Sequence, residues 1–277
     1  MSIFYDNNIW YFILAFIPAM IYSFFIYTKD KKNIKLKPVL LYLLVGFISI
    51  FSVEMAYKIF PNIHQLVFLQ EANQLDLINF EFQSYYGLLT LAFYAIIQVG
   101  LLEESCKFIA WEIGSFFRKY KDKKKDSLFS IMFYACMISV GFACIENFEY
   151  FVSTAKSEVV IIRSLTCVII HMICGIFLGY FLALSRLVIS PLKKLGYKFL
   201  GLSMAVIFHG FFDYLLMIPS RMNQAVMIGD YALGYISSLL LLVFGMFVAM
   251  ILGKTLLSYS SEFRVIQKRH NQETQAM

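Results

Sequence analysis

The sequence predicts an all-α, polytopic membrane helix bundle of about seven transmembrane helices, and three observations carry that prediction. Of the 277 residues, 60% are hydrophobic and only 15% are charged, a balance too apolar for a water-soluble domain. The apolar residues gather into seven runs, 9–28, 38–57, 86–117, 128–151, 160–185, 195–217 and 230–256. Each is long enough to cross about 30 Å of hydrocarbon, which takes about 20 helical residues. The Lys and Arg residues behind the formal charge of +6 sit in short clusters between the runs. Clusters so placed orient helices in a membrane, and no nucleic-acid partner is expected.

Taken in order, the first run follows an N-terminus without Lys or Arg, and no small-x-small cleavage site follows it, so it is expected to remain as a span. Lys29, Lys31, Lys32, Lys35 and Lys37 after it mark a cytoplasmic turn. The loop at 58–85 sets Lys58 against Glu71, Asp76 and Glu81, reads as external, and carries Leu75, Leu77, Ile78 and Phe80 in a pattern that suggests a short interfacial helix. Arg118, Lys119, Lys121 and Lys123–Lys125 mark the next internal loop, and Arg186, Lys193, Lys194 and Lys198 the one after. With Arg264, Lys268 and Arg269 in the tail, every loop is satisfied by an external N-terminus and a cytoplasmic C-terminus. The chain thus reads as one transmembrane domain over 1–257 and a polar, frayed cytoplasmic tail over 258–277. Cys106, Cys136, Cys144, Cys167 and Cys174 all fall within apolar runs and imply no disulfide framework.

Ionisable residues inside these runs are the functional signal, because each costs roughly 2.5–3.5 kcal/mol at mid-bilayer on insertion scales. The third run holds Leu101-Leu-Glu-Glu-Ser-Cys-Lys107. Glu103 and Lys107 are one helical turn apart and can pair, while Glu104 is rotated by about 100°, which gives the two carboxylates different surroundings. In the fourth run Phe142, Glu146 and Tyr150 share a face, with Asn147 beside it. His171 and His209 are the only histidines within spans, and Asp213 stands one turn beyond His209, where it can orient the imidazole. Cys167, Gly175 and Gly179 narrow the face of His171, so that another helix can approach it closely. Helices one, two and seven bring little of this kind except Glu54.

Four successive helices therefore converge on one polar cavity. Two histidines and two or three carboxylates can activate water, either through a glutamate base or through a divalent metal with an open coordination position. A His-Glu-x-x-His run is absent. A proton- or ion-coupled transporter is the competing reading, since buried Glu, Lys and His serve that role too. The single in-span proline, Pro18, and the absence of an internal repeat speak against it. A Cys–His nucleophile at Cys167 or Cys174 is a weaker alternative, because Cys commonly packs as a small apolar residue.

At these residues the chain resembles the PrsW family of intramembrane proteases, in a superfamily with the CaaX prenyl endopeptidases and bacteriocin-immunity relatives. Glu103-Glu104-x-x-Lys107, Phe142-x-x-x-Glu146 with Asn147 and Tyr150, Arg163 with His171 and Gly179, and His209-x-x-x-Asp213 follow the family's motif order over about residues 85–217. The resemblance implies peptide-bond hydrolysis in or near a bacterial inner membrane, on a membrane-anchored protein such as an anti-sigma factor at its first cleavage site. It implies Glu103 as the base for the attacking water, with His171 and His209 positioning that water or stabilising the oxyanion, Asp213 orienting His209, and Lys107 and Glu104 tuning the site. Phe142, Asn147 and Arg163 are supporting residues. Glu146 stands where the prenyl endopeptidases carry a His, which leaves open a metal-dependent scheme, with zinc or another divalent ion on Glu146, His171 and His209, beside one with no cofactor. A catalytically silent scaffold is the remaining alternative.

Depth adds a constraint. The third apolar stretch, 85–117, would be roughly 50 Å long as a helix, more than one crossing needs. Embedding about 95–117 and leaving 85–94 as an outer extension brings Glu103 and Glu104 level with His171 and His209 in the outer half of the membrane.

Overall fold

The computed structural model describes residues 3–60, 85–119, 126–154, 157–221 and 228–275. Every regular element among them is helical: α1 (Ile3–Tyr27), α2 (Leu36–Ile59), α3 (Tyr85–Phe93), a π-helical stretch (Tyr94–Leu101), α4 (Leu102–Lys119), α5 (Leu128–Thr154), α6 (Ser157–Leu184), α7 (Pro191–Arg221) and α8 (Ile228–Gln275). Seven of the helical segments are long and apolar enough to span a membrane, with α3, the π-helical stretch and α4 running together as the third. The bundle is thus a multi-pass membrane fold, and the exposed Leu, Ile and Phe side chains along α1, α2, α7 and α8 form its apolar exterior. The interfacial helix expected in the 58–85 loop lies mostly outside the described residues. The segment beyond 257, expected to fray, continues α8 as helix to Gln275; after Gly253 it carries neither Gly nor Pro to stop it.

The two most buried spans, α5 and α6, form the centre, against which α1, α2, α4, α7 and α8 pack. Their faces match at small residues, as expected for Gly175 and Gly179: a Cβ on either would lie 2.7–2.8 Å from backbone or side-chain atoms of Cys136, Ser139 or Met132 on α5. Helix α2 crosses α5 still more closely. A Cβ on Gly46 would fall 2.2 Å from the Ile138 carbonyl oxygen, and one on Gly141 2.3 Å from that of Leu43. With lipid as the competing solvent, this kind of backbone contact holds membrane helices together.

At the end bearing the α1–α2 turn, Ser127 donates to Asp30 (3.0 Å) and the Lys35 amide donates to the Tyr134 hydroxyl (3.0 Å). Arg118 pairs with Asp126 and lies over the Tyr134 ring, which is stacked on Tyr42. These contacts fix the axial register of α2, α4 and α5, on which the placement of the polar groups farther along depends.

Candidate active site

The π-helical stretch sets up the site. Wider turns rotate the residues that follow relative to α3, and such segments are rare outside functional regions. Here the stretch packs backbone to backbone on α7, where a Cβ on Gly100 would lie 2.8 Å from the Val206 carbonyl and one on Gly210 2.5 Å from the Ile96 Cα. Helix α4 then begins with Leu102, Glu103 and Glu104 turned into the bundle, opposite His209 of α7.

Lys107 is the hub. Its side chain is 1% exposed, and its ammonium donates to Glu104 Oε1 (2.7 Å) and His171 Nδ1 (3.0 Å), lies 3.5 Å from Glu103 Oε2, and sits 4.0 Å from the centroid of the Phe142 ring. The closer carboxylate is Glu104, at i,i−3, and not Glu103 at i,i−4. A lysine ammonium has only donors, so His171 Nδ1 accepts and His171 Nε2 carries the ring proton, donated to Glu146 Oε2 at 2.8 Å. Glu146 Oε1 in turn accepts from Arg163 (2.9 Å), whose Nε donates to Asn147 Oδ1 (3.3 Å) and whose guanidinium covers the Tyr150 ring at 3.7 Å.

His209 faces His171 edge on, with ring centroids 4.9 Å apart. Its Nδ1 donates to Glu104 Oε1 at 2.8 Å, which leaves Nε2 turned toward Asp213 (3.5 Å) and Glu103 Oε2 (3.9 Å). Glu104 is therefore the group that orients this imidazole, and Asp213, expected in that role, is the more distant of the two. Glu103 Oε2 and Glu104 Oε2 are buried and accept no hydrogen bond. All ten residues singled out in the sequence thus meet in two linked clusters, one centred on Lys107 and one on Arg163. The five described cysteines are free and buried, and Cys174 donates to the Ala205 carbonyl.

Sequence reasoning missed Tyr57. It lies in the last turn of α2 and packs against the group formed by Val53, Cys106 and Phe142, the last of which lies under Lys107. One turn beyond Val53 and beside Lys58, it reads in the sequence as an interfacial tyrosine at a helix end.

The donors of the site bear on whether it can hold a divalent cation. One donor atom from each of Glu103, His171 and His209 lies within 4.8 Å of the others, and Glu104, Cys174 and His209 form a second such set. Counted as ionised, the carboxylates Glu103, Glu104, Glu146 and Asp213 outnumber the cations Lys107 and Arg163 by two. Glu103 has an oxygen without a hydrogen bond, and His209 has one nitrogen anchored on a carboxylate and the other turned inward, the arrangement that supports metal-bound imidazoles. The donors therefore fit a divalent cation on Glu103, His171 and His209; Glu146, the carboxylate expected beside the two histidines, lies outside both sets with its oxygens on Arg163 and His171, and His171 joins only by giving up its contact to Lys107 or to Glu146.

Buried ionisable groups inside membrane-length helices define the class: a polytopic membrane protein with a polar constellation inside its bundle. Comparison with known proteins gives the family. The family described as PrsW family intramembrane metalloprotease matches residues 36–253. The chain is 24% identical over 215 residues to Protease PrsW of Clostridioides difficile (strain 630), a match covering 76% of this chain and 80% of that one. It is 29% identical over 131 residues to Protease PrsW of Bacillus subtilis (strain 168) and 32% identical over 123 residues to that of Oceanobacillus iheyensis, covering 56% and 54% of those relatives. No solved structure matches. The chain belongs to the PrsW family of intramembrane metalloproteases, and is a multi-pass integral membrane protein of the kind its bacterial relatives represent.

Proposed function

We propose that this chain is an intramembrane endopeptidase that hydrolyses a peptide bond of a membrane-anchored protein, with Glu103 as the base for the attacking water. The observation that carries this reading is Glu103 Oε2, buried without a hydrogen bond, 3.5 Å from the Lys107 ammonium and 3.9 Å from His209 Nε2. A carboxylate oxygen without a hydrogen bond, across from an imidazole nitrogen, frames a place for one water. Glu103 takes a proton from that water as its oxygen attacks the carbonyl carbon, and returns the proton to the leaving amine as the C–N bond breaks. His209 Nε2, turned to the same space, orients the water, and Glu104 fixes the ring through Nδ1. His171 and Glu146 tie Lys107 to Arg163, so the two clusters hold one another in place.

Glu103 and His209, joined by His171, would hold a divalent cation such as zinc. Bound there, the ion would acidify the water and polarise the carbonyl. The substrate class extends to a membrane-anchored anti-sigma factor cut at its first site, as the resemblance implies.

The test is co-expression of Glu103→Ala, Glu104→Ala, His171→Ala and His209→Ala variants with single-span reporter proteins. Loss of the released fragment in each variant supports the assignment, and retention in all four refutes it. Metal analysis of the purified protein separates the two forms of the chemistry. Stoichiometric zinc that is lost in His209→Ala puts the ion on this donor set, whereas metal-free protein that still cuts in chelator leaves activation to Glu103 alone.

A further inference from the structure

We infer that Asp213 of α7 is a specificity-determining residue, whose carboxylate takes the ammonium or guanidinium of a substrate Lys or Arg beside the scissile bond. The inference rests on the hydrolase reading and deepens it by naming a property of the substrate that the site selects.

Three of the four carboxylates at the site have a lysine or arginine partner within the protein. Glu103 and Glu104 share Lys107, at 3.5 and 2.7 Å, and Glu146 has Arg163 at 2.9 Å. Asp213 pairs with no lysine or arginine and accepts no side-chain hydrogen bond among the described residues. Its one charged contact there is His209 Nε2 at 3.5 Å, and that imidazole is already held by Glu104 through Nδ1 at 2.8 Å. A carboxylate without a cation of its own inside membrane-length helices is costly, and such residues mark the path of a substrate or an ion. Asp213 belongs to neither of the two donor sets that fit a divalent cation, which leaves a cation carried by the substrate as its complement.

Position decides which part of the substrate Asp213 meets. Glu103 Oε2, buried without a hydrogen bond, lies 3.9 Å from the same His209 nitrogen that Asp213 faces at 3.5 Å, so Asp213 stands beside the place where the peptide is attacked. Its side chain is 21% exposed, against 8% for Glu103 and 4% for His209, which puts Asp213 at the mouth of the site and those two at its floor. The far side is closed. One turn beyond Lys107, Trp111 stacks on Tyr42 and Tyr42 on Tyr134, each at most 3% exposed. A peptide that reaches Glu103 therefore passes Asp213, and Lys and Arg have the length and charge to meet it from a position next to the scissile bond.

Single-span reporters that carry one Lys, stepped along a segment otherwise free of Lys and Arg, test this with the unmodified protein in nanodiscs. Mass spectrometry of the released fragment locates the bond that is cut. That bond is expected to move with the lysine at a fixed offset, and replacing the lysine by Met, which keeps an unbranched stem, is expected to lower kcat/KM about 10- to 100-fold. Asp213→Asn is expected to bring the Lys-to-Met ratio close to one. Because D213N also alters the surroundings of His209, binding is read without turnover in Glu103→Gln. There the Lys reporter should bind about 10- to 100-fold more tightly than the Met reporter, and the double variant E103Q/D213N should bind the two alike. A cut position that ignores the lysine, or a Lys-to-Met ratio that D213N leaves unchanged in cleavage or in binding, overturns the role of Asp213; with E103Q inactive, the hydrolase reading still stands. Cleavage retained by E103Q removes the hydrolase reading itself, and the inference with it.

Discussion

Lys107→Met tests the network at its hub. The substitution keeps an unbranched apolar stem of similar length and removes the ammonium that touches Glu104 Oε1 at 2.7 Å and His171 Nδ1 at 3.0 Å. Glu104 is fully buried and already has one oxygen without a partner, so losing Lys107 leaves His209 as the one group bonded to it. Breaking a buried ion pair by removing one partner costs about 3–5 kcal/mol, most of it the penalty of the charge left behind. Lys107→Met should therefore lower unfolding free energy in mixed micelles by about that much. Trp111, buried and stacked on Tyr42 at 5.0 Å, provides the fluorescence signal. Glu104→Gln alone should cost less, since Lys107 retains His171 and lies 3.5 Å from Glu103. Combining the two changes removes both charges, and the double variant should be more stable than the sum of the single losses by at least about 2 kcal/mol. Strict additivity in that cycle would refute the claim that Lys107 is held chiefly by Glu104.

Other outcomes follow from the same geometry. Glu103→Gln should leave stability near that of the unmodified protein, because Oε2 has no hydrogen bond to lose, and lower cleavage by about 10²–10⁴, the usual contribution of a general base; equal destabilisation of E103Q and E104Q would contradict it. Gly141→Ala must separate α2 from α5, since the new Cβ would meet the Leu43 carbonyl at 2.3 Å, and should cost about 1–3 kcal/mol in unfolding together with cleavage, read side by side on the same samples. Arg163→Lys should reduce kcat about tenfold while the protein stays folded, because a point ammonium cannot serve Glu146, Asn147 and the face of Tyr150 together; circular dichroism with a cleavage assay would check this.

Much of this protein is determined by sequence alone. Membrane class and the positions of the seven spans follow from hydropathy, because each helix must satisfy its own backbone in lipid and announces itself locally by about 20 apolar residues. The ionisable residues of the site were visible for the same reason: Glu103, Glu104, Lys107, Glu146, His171, His209 and Asp213 stand out against hydrocarbon at a cost that needs explaining. Their partners were decided only in three dimensions. Helical spacing allows Lys107 to reach Glu103 or Glu104 equally, and the turn of α4 after the π-helical stretch gives it Glu104 as the closer partner. Spacing likewise offered Asp213 to His209, but the crossing of α4 and α7 puts Glu104 nearer. Tyr57, at the end of α2 beside Lys58, packs against Cys106 and Phe142 because Gly46 and Gly141 let α2 approach α5 at backbone distance. Periodicity along one helix says which residues share a face; the rotation and depth of that face relative to its neighbours depend on packing between helices, which is why the sequence gathers these residues and the tertiary structure pairs them.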